Sequence, residues 1–211
     1  MQRLRITFAK RGVARYIGNR DLHCAWERTL RRANAPLAYS QGFHPTPKLQ
    51  LASALPLGIT SEAEVVDIWL RGPVKLNDLL AAVGAAAPPG IEALDIAAVD
   101  LRERSLQSRL RAAEYLVELS GDCPAEMLIK CVKDILGRAT ITRKRRGKDY
   151  DLRELIDALA VEIGKNDTVT LRMRLAARPG ATGRPEEVMD AMGISGKRVH
   201  RTALFFVDNL D

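Results

Sequence analysis

The sequence predicts an α+β chain of two successive βαββαβ-type modules with antiparallel sheets, residues 1–101 and 111–211. Three observations carry that expectation. Short stretches of alternating polar and apolar residues recur in both halves, each half holds two stretches of helical periodicity, and Gly, Pro, Asn and Asp clusters punctuate them. At 211 residues and 46% hydrophobic content the chain is long enough to bury a core in each half.

Arg3 to Phe8 places Leu4, Ile6 and Phe8 on one side of a strand. Arg11-Gly12 reads as a turn, and Val13 to Ile17 as the returning strand of a hairpin. From Arg20 to Ala33 the apolar positions Leu22, Ala25, Trp26, Leu30 and Ala33, with Thr29, fall on one helical side. Arg20, Cys24, Glu27, Arg28 and Arg31 fall on the other. Asn19 is the expected N-cap, and Asp21 suits the positive end of the helix dipole. Pro36 to Tyr39 and Lys48 to Leu51 read as extended. Between them Pro45 and Pro47 hold the Ser40-Gln-Gly-Phe-His-Pro-Thr-Pro loop out of helix. Val65 to Leu70 is a strand, Leu76 to Ala86 a helix and Ile91 to Leu101 a strand.

The second half repeats the outline. Tyr115 to Leu119 is a strand, and Pro124 to Leu136 a helix with Met127, Ile129, Cys131, Val132 and Ile135 as packing residues. Ala139 to Arg143 is extended. Asp151 to Ile163 reads as a short helical turn followed by a strand, because Gly164-Lys-Asn-Asp is hairpin-turn chemistry ahead of Val169 to Leu175. Glu186 to Met192 is a helix with Pro185 at its start, and Arg198 to Val207 closes the module. This order is ferredoxin-like, with an extra hairpin strand in the first module and Arg102 to Leu110 as the joint between the two.

Charge is distributed in blocks. The chain carries +7, but residues 1–50 alone carry +8 and residues 101–150 carry +5, whereas 51–100 carry −5 and 151–211 carry −1. Concentrated positive charge attracts polyanions, so RNA is the expected partner, against the alternative of an ordinary solvated surface. The candidate binding residues are Arg3, Arg5, Lys10 and Arg15 on the first hairpin, and Asn19, Arg20, Arg28 and Arg31 on the helix. Tyr39, Ser40, Gln41, Gly42, Phe43 and His44 belong to the Pro-framed loop, which Lys48 follows. Arg143, Lys144, Arg145 and Arg146 form the densest basic run, expected at a hairpin tip. Arginine suits this role because its planar fork makes bidentate bonds to phosphate, and an exposed ring can stack on a base. Glu62, Glu64 and Asp67 read as solvated acidic positions on a strand.

Several function classes lack their motifs. The cysteines, Cys24, Cys123 and Cys131, are odd in number and widely spaced, which argues against a disulfide framework or an iron–sulfur cluster. Gly193-Ile-Ser-Gly-Lys-Arg lacks the first glycine and the final hydroxyl of a phosphate loop. His23, His44 and His200 have no nucleophile partner in sequence, so no catalytic residue, metal ligand or cofactor is assigned. No run reaches the ~20 apolar residues of a membrane span. The start shows no apolar signal core, and the expected setting is cytoplasmic.

Tyr39-Ser-Gln-Gly-Phe-His-Pro-Thr-Pro-Lys, followed by Leu55-Pro-Leu-Gly-Ile-Thr-Ser-Glu-Ala-Glu, resembles the radical-SAM-linked protein family, whose members occur beside or fused to a cobalamin-binding radical SAM protein. The likeness takes in Arg3 to Phe8, Gly12 to Ile17, Asp21 to Arg32, Asp151-Leu-Arg and Val199-His-Arg-Thr-Ala-Leu. Two positions depart from the pattern. Gly18-Asn-Arg-Asp stands where the family favours Ser-His-Leu-Asp, and His44 and Thr46 replace the Asn and His of its Phe-Asn-Pro-His-Pro loop. The resemblance implies an accessory role to a radical SAM enzyme, binding RNA or presenting a substrate. The alternatives are an adaptor docking an acidic protein and a small RNA-processing or RNA-modifying enzyme.

Overall fold

The computed structural model describes residues 1–119, 124–164 and 168–207. Among the described residues it is a mixed α+β structure of mostly antiparallel strands and five α-helices, divided into a first unit of Met1–Leu110 joined by Val207 and a second of Arg111–Phe206.

In the first unit β1 (Gln2–Lys10) is followed by a 3₁₀ turn (Gly12–Tyr16), α1 (Asn19–Arg32), β2 (Leu49–Leu51), β3 (Thr60–Leu70), α2 (Leu76–Ala86), β4 (Ile91–Val99) and α3 (Leu106–Arg109). β2 pairs with β3, β3 with β1 and β1 with β4, all antiparallel. The alternation read in β1 sends Leu4, Ile6 and Phe8 to the helices, where they are fully buried with Leu22, Trp26 and Leu30 of α1, Val66 and Ile68 of β3 and Val83 of α2. Phe8 and Trp26 meet edge-on at 4.8 Å.

Val13 to Ile17 is not a strand. β1 is already hydrogen-bonded along one edge to β3 and along the other to β4, so no edge is free for a hairpin partner. The segment closes into a 3₁₀ turn instead, with Ala14 N–H donating to Arg11 C=O at 3.1 Å and Ile17 N–H to Ala14 C=O at 3.1 Å. Gly90 makes this possible. Its C=O accepts from Arg11 N–H at 2.7 Å, its φ is +87°, and an added Cβ would lie 2.5 Å from Arg11 C=O.

The expected cap at Asn19 is also corrected. Asn19 is the first helical residue and Gly18 the cap, without a side-chain bond. The joint at 102–110 is packed chain: Leu106 is fully buried, its N–H donates to Gln50 Oε1 at 3.3 Å, and Gln107 Nε2 donates to Leu51 C=O at 3.3 Å.

The second unit runs β5 (Leu110–Leu119), α4 (Ala125–Gly137), β6 (Thr142–Arg145), β7 (Lys148–Asp151), a 3₁₀ turn (Arg153–Leu155), β8 (Ile156–Ile163), β9 (Val169–Arg178), β10 (Ala181–Thr182), α5 (Pro185–Met192) and β11 (Gly196–Phe206). β8 pairs antiparallel with β9, β9 with β5, and β5 lies beside β11; β6 and β7 form a separate hairpin. The helical turn and strand expected across Asp151 to Ile163 are present, and the turn expected on residues 165–167 lies outside the described residues. In α4 the packing residues are Leu128, Val132 and Ile135, whereas Met127 and Ile129 are exposed.

Candidate nucleic-acid interface

The basic residues of the first fifty positions divide into two groups with different fates. Arg3, Arg5 and Lys10 lie inward. Arg3 is 2% exposed, and its guanidinium donates to Asp67 Oδ2 at 2.5 and 2.9 Å, to Glu103 C=O at 2.5 Å and to Arg104 C=O at 3.2 Å. Arg5, half-buried, donates to Asp67 Oδ1 at 2.9 Å, Asp67 Oδ2 at 3.0 Å and Glu103 Oε1 at 2.8 Å. Arg109 closes the cluster on Glu103. Lys10 is 1% exposed and its Nζ donates to Ile17 C=O at 2.8 Å. Arg3 and Arg5 serve the interior because the segment around Glu103 covers their side of the sheet, whereas Lys10 reaches the end of the 3₁₀ turn. Asp67 and Glu64, expected to be solvated, are buried as well.

Arg20, Arg28 and Arg31 are exposed on the outward side of α1, and their guanidiniums make no hydrogen bond or ion pair among the described residues. Asn19 is exposed at the helix start. Arg32 is tied down, donating to Ala86 C=O at 2.6 Å. Arg15 is half-buried and folds back on its neighbour, 4.7 Å over the Tyr16 ring and 2.7 Å from its hydroxyl.

The loop after α1 is laced at its neck. Ser40 N–H donates to Thr46 C=O at 2.8 Å, Thr46 N–H to Ser40 Oγ at 3.0 Å, and Tyr39 bridges Pro47. Lys48 N–H donates to Ala38 C=O and its own C=O accepts from Trp69 N–H, which fixes the neck to β3; its side chain is half-buried. Gln41, Gly42, Phe43 and His44 form the exposed tip, and the Phe43 ring is completely solvent-exposed. His44 has no hydrogen-bond partner among the described residues, so nothing there orients its imidazole.

Between the end of α1 and the neck lies a cleft of about 450 Å³ lined by Arg31, Asn34, Ala35, Pro36, Leu37, Tyr39 and Arg71. Asn34, at φ +52°, ends the helix in the left-handed region. Arg71, just beyond β3, lies 5.5 Å over the Tyr39 ring. Asn34 and Arg71 were not among the sequence candidates. The available signal for Arg71 was that it is one of only two cations in the acidic block 51–100.

In the second unit the basic run occupies the β6–β7 hairpin. Arg146 and Gly147, at φ +51° and +80°, make the turn and stand exposed with Lys144 and Lys148. Arg145 points elsewhere. It pairs with both Glu187 oxygens, donates to Thr182 C=O at 2.9 Å and covers the Tyr150 ring at 4.8 Å. The hydrogen bond to Glu187 raises the Arg145 pKa above its ordinary value. Arg143 is half-buried opposite Tyr150.

Among the described residues no three His, Cys, Asp or Glu side chains gather as metal ligands do, and no helix is long and apolar enough to cross a membrane.

Comparison with known proteins adds a family and a fold. The family described as "Uncharacterized protein conserved in bacteria (DUF2344)" matches residues 3–185. No curated protein matches the sequence. Among solved structures, a chain in "Crystal Structure of a Cbf5-Nop10-Gar1 Complex" is similar at a TM-score of 0.52 and 14% identity, over 97% of this chain and 50% of that one. The present chain thus spans about half of that neighbour's length, and at this identity the likeness concerns the fold alone.

Proposed function

The chain belongs to the DUF2344 family, and we propose that it is an accessory, cytoplasmic module that binds RNA or presents a substrate to a radical SAM enzyme. The observation that carries the RNA half is the outward side of α1, where Arg20, Arg28 and Arg31 are exposed without a carboxylate partner. Structural arginines acquire acceptors, as Arg3, Arg5 and Arg109 do here. Three exposed guanidiniums on one helical side, left without them, suit successive phosphates. Phe43, fully exposed at the loop tip, supplies a face on which a base can stack.

We read each unit as ferredoxin-like. The element orders β1-α1-β2-β3-α2-β4 and, once the inserted β6–β7 hairpin and β10 are set aside, β5-α4-β8-β9-α5-β11, each with its first strand between its third and fourth, support that reading. The radical SAM half rests on the loop and strand motifs that resemble the radical-SAM-linked family.

Anisotropy of labelled single-stranded RNA across a salt series tests the RNA half. Affinity is expected to fall steeply with salt, with a log–log slope of about −0.7 per phosphate contacted. Undetectable or salt-insensitive binding overturns it. Copurification with the radical SAM protein before and after nuclease treatment tests the other half. A complex that survives nuclease and ignores RNA would make the basic face a dock for an acidic protein surface instead.

A further inference from the structure

We propose that the cleft between Arg31 and Arg71 receives the phosphorylated end of an RNA strand, taking a terminal phosphomonoester together with its nucleotide. This rests on the RNA reading above and names what its far end recognises.

Two side chains from separate elements converge there. Arg31 comes from the last turn of α1 and Arg71 from the chain just after β3, and both line the same cleft. Neither makes a hydrogen bond or ion pair with a side chain among the described residues, and no lining residue is acidic. The two cations therefore await a ligand of matching charge. An internal phosphodiester carries one negative charge, whereas a terminal phosphate carries about −1.5 to −2 at neutral pH and three acceptor oxygens. The doubled guanidinium fits the terminal group.

Arg31 alone has a simpler account, since a cation in the last turn complements the helix dipole. Arg71 lies on no helix and in an acidic stretch, with its guanidinium carbon 5.5 Å from the centre of the Tyr39 ring. That cation–π contact restricts the side chain before the ligand arrives, which lowers the freedom lost on binding. The negative end of the α1 dipole, which would oppose an anion, is answered locally. The carbonyls of Thr29, Leu30 and Arg31 accept from the N–H groups of Ala33, Ala35 and Asn34.

Size and position agree with this assignment. About 450 Å³ exceeds what a phosphate group needs and lies in the range of small-ligand sites. Ala35, Pro36 and Leu37 give the remainder an apolar wall suited to a sugar and base. The arginines along α1 stop at this point, because Asn34 turns the chain and Pro36 to Tyr39 bounds the cleft.

The test uses the full chain and one short single-stranded RNA prepared with a 5′-phosphate, with a 3′-phosphate, or with hydroxyls at both ends, in phosphate-free buffer. One phosphorylated form is expected to bind at least about tenfold tighter than the hydroxyl-ended form, and its identity names the end. Arg71→Met is expected to bring that ratio to near one, with Arg71→Lys only partly restoring it. Equal affinity for all three RNAs, or a ratio unchanged in Arg71→Met, overturns the cleft assignment while the RNA reading stands. If no RNA binds but adenosine monophosphate binds the wild type and not Arg71→Met, the RNA reading fails and the phosphate cleft survives. Absence of binding by RNA and mononucleotide alike removes both.

Discussion

Arg5 and Asp67 face each other across the β1–β3 ladder, and the Arg5 guanidinium spans both carboxylate oxygens at 2.9 and 3.0 Å. The same carboxylate, fully buried, also receives Arg3. One buried carboxylate thus receives two guanidiniums, and Glu103 shares the charge of Arg5. Asp67→Asn keeps the shape but leaves Arg3 buried without its counter-charge, a loss of about 3–5 kcal/mol on the usual cost of breaking a buried pair. Urea unfolding monitored by tryptophan fluorescence measures it.

Gly90→Ala is expected to destabilise the first unit by more than about 1 kcal/mol. The new Cβ would be forced into a left-handed backbone and against Arg11 C=O. A lowered thermal midpoint checks this, and the neighbouring Pro89→Ala should have the smaller effect.

Acid sensitivity follows from the β8–β9–β5 ladder of the second unit. Burial pushes the Glu114 carboxyl up, but hydrogen bonds from Arg172, Arg174 and Thr202 outweigh it and hold the group below its ordinary 4.5. Glu162 is lowered by its bond to Arg172, which is itself raised by the two glutamates. Both acids keep their charge to lower pH in the folded chain than in the unfolded one. Their stabilisation is complete above the ordinary carboxylate pKa and drains away as pH falls through the lowered values. Arg172→Met should therefore flatten the loss of thermal midpoint between about pH 5 and 3, compared with wild type.

On α1, Arg28→Ala should weaken RNA binding and reduce the magnitude of the salt slope by about 0.7, the share of one phosphate contact. Arg11→Ala, which breaks only the surface pair with Glu92 at 3.0 Å, should leave the slope unaltered. Parallel titrations over salt read both.

Phe43→Ala should reduce affinity for single-stranded RNA by about 1–3 kcal/mol, the worth of one stacked base, without changing the salt slope. Because the ring is fully exposed, circular dichroism and melting should be unchanged.

How much of this was legible beforehand depended on how local the cause is. The alternation of Leu4, Ile6 and Phe8 and the stripe of Leu22, Trp26 and Leu30 are written in consecutive residues, and the strand and helix follow directly. Alternation separates two faces of a strand but does not say whether the second is covered. Arg3 and Arg5 therefore read as surface, when a segment a hundred residues onward folds over them. Val13 to Ile17 failed for a related reason, since a strand needs a vacant edge and β4 had already taken it. The exposed row on α1 was visible because helical spacing alone puts Arg20, Arg28 and Arg31 on one side. Arg71 was not, because its approach to Arg31 depends on where β3 ends relative to α1.

The hydroxyls of Ser40 and Thr46 cinch the Phe43 loop before anything arrives. On the proposed RNA reading, association at the tip costs less chain freedom than at an open loop, and the ring's chief effect is on how slowly a bound strand lets go. Residence time, more than the frequency of first encounters, is the quantity that this knot of two small side chains would then control.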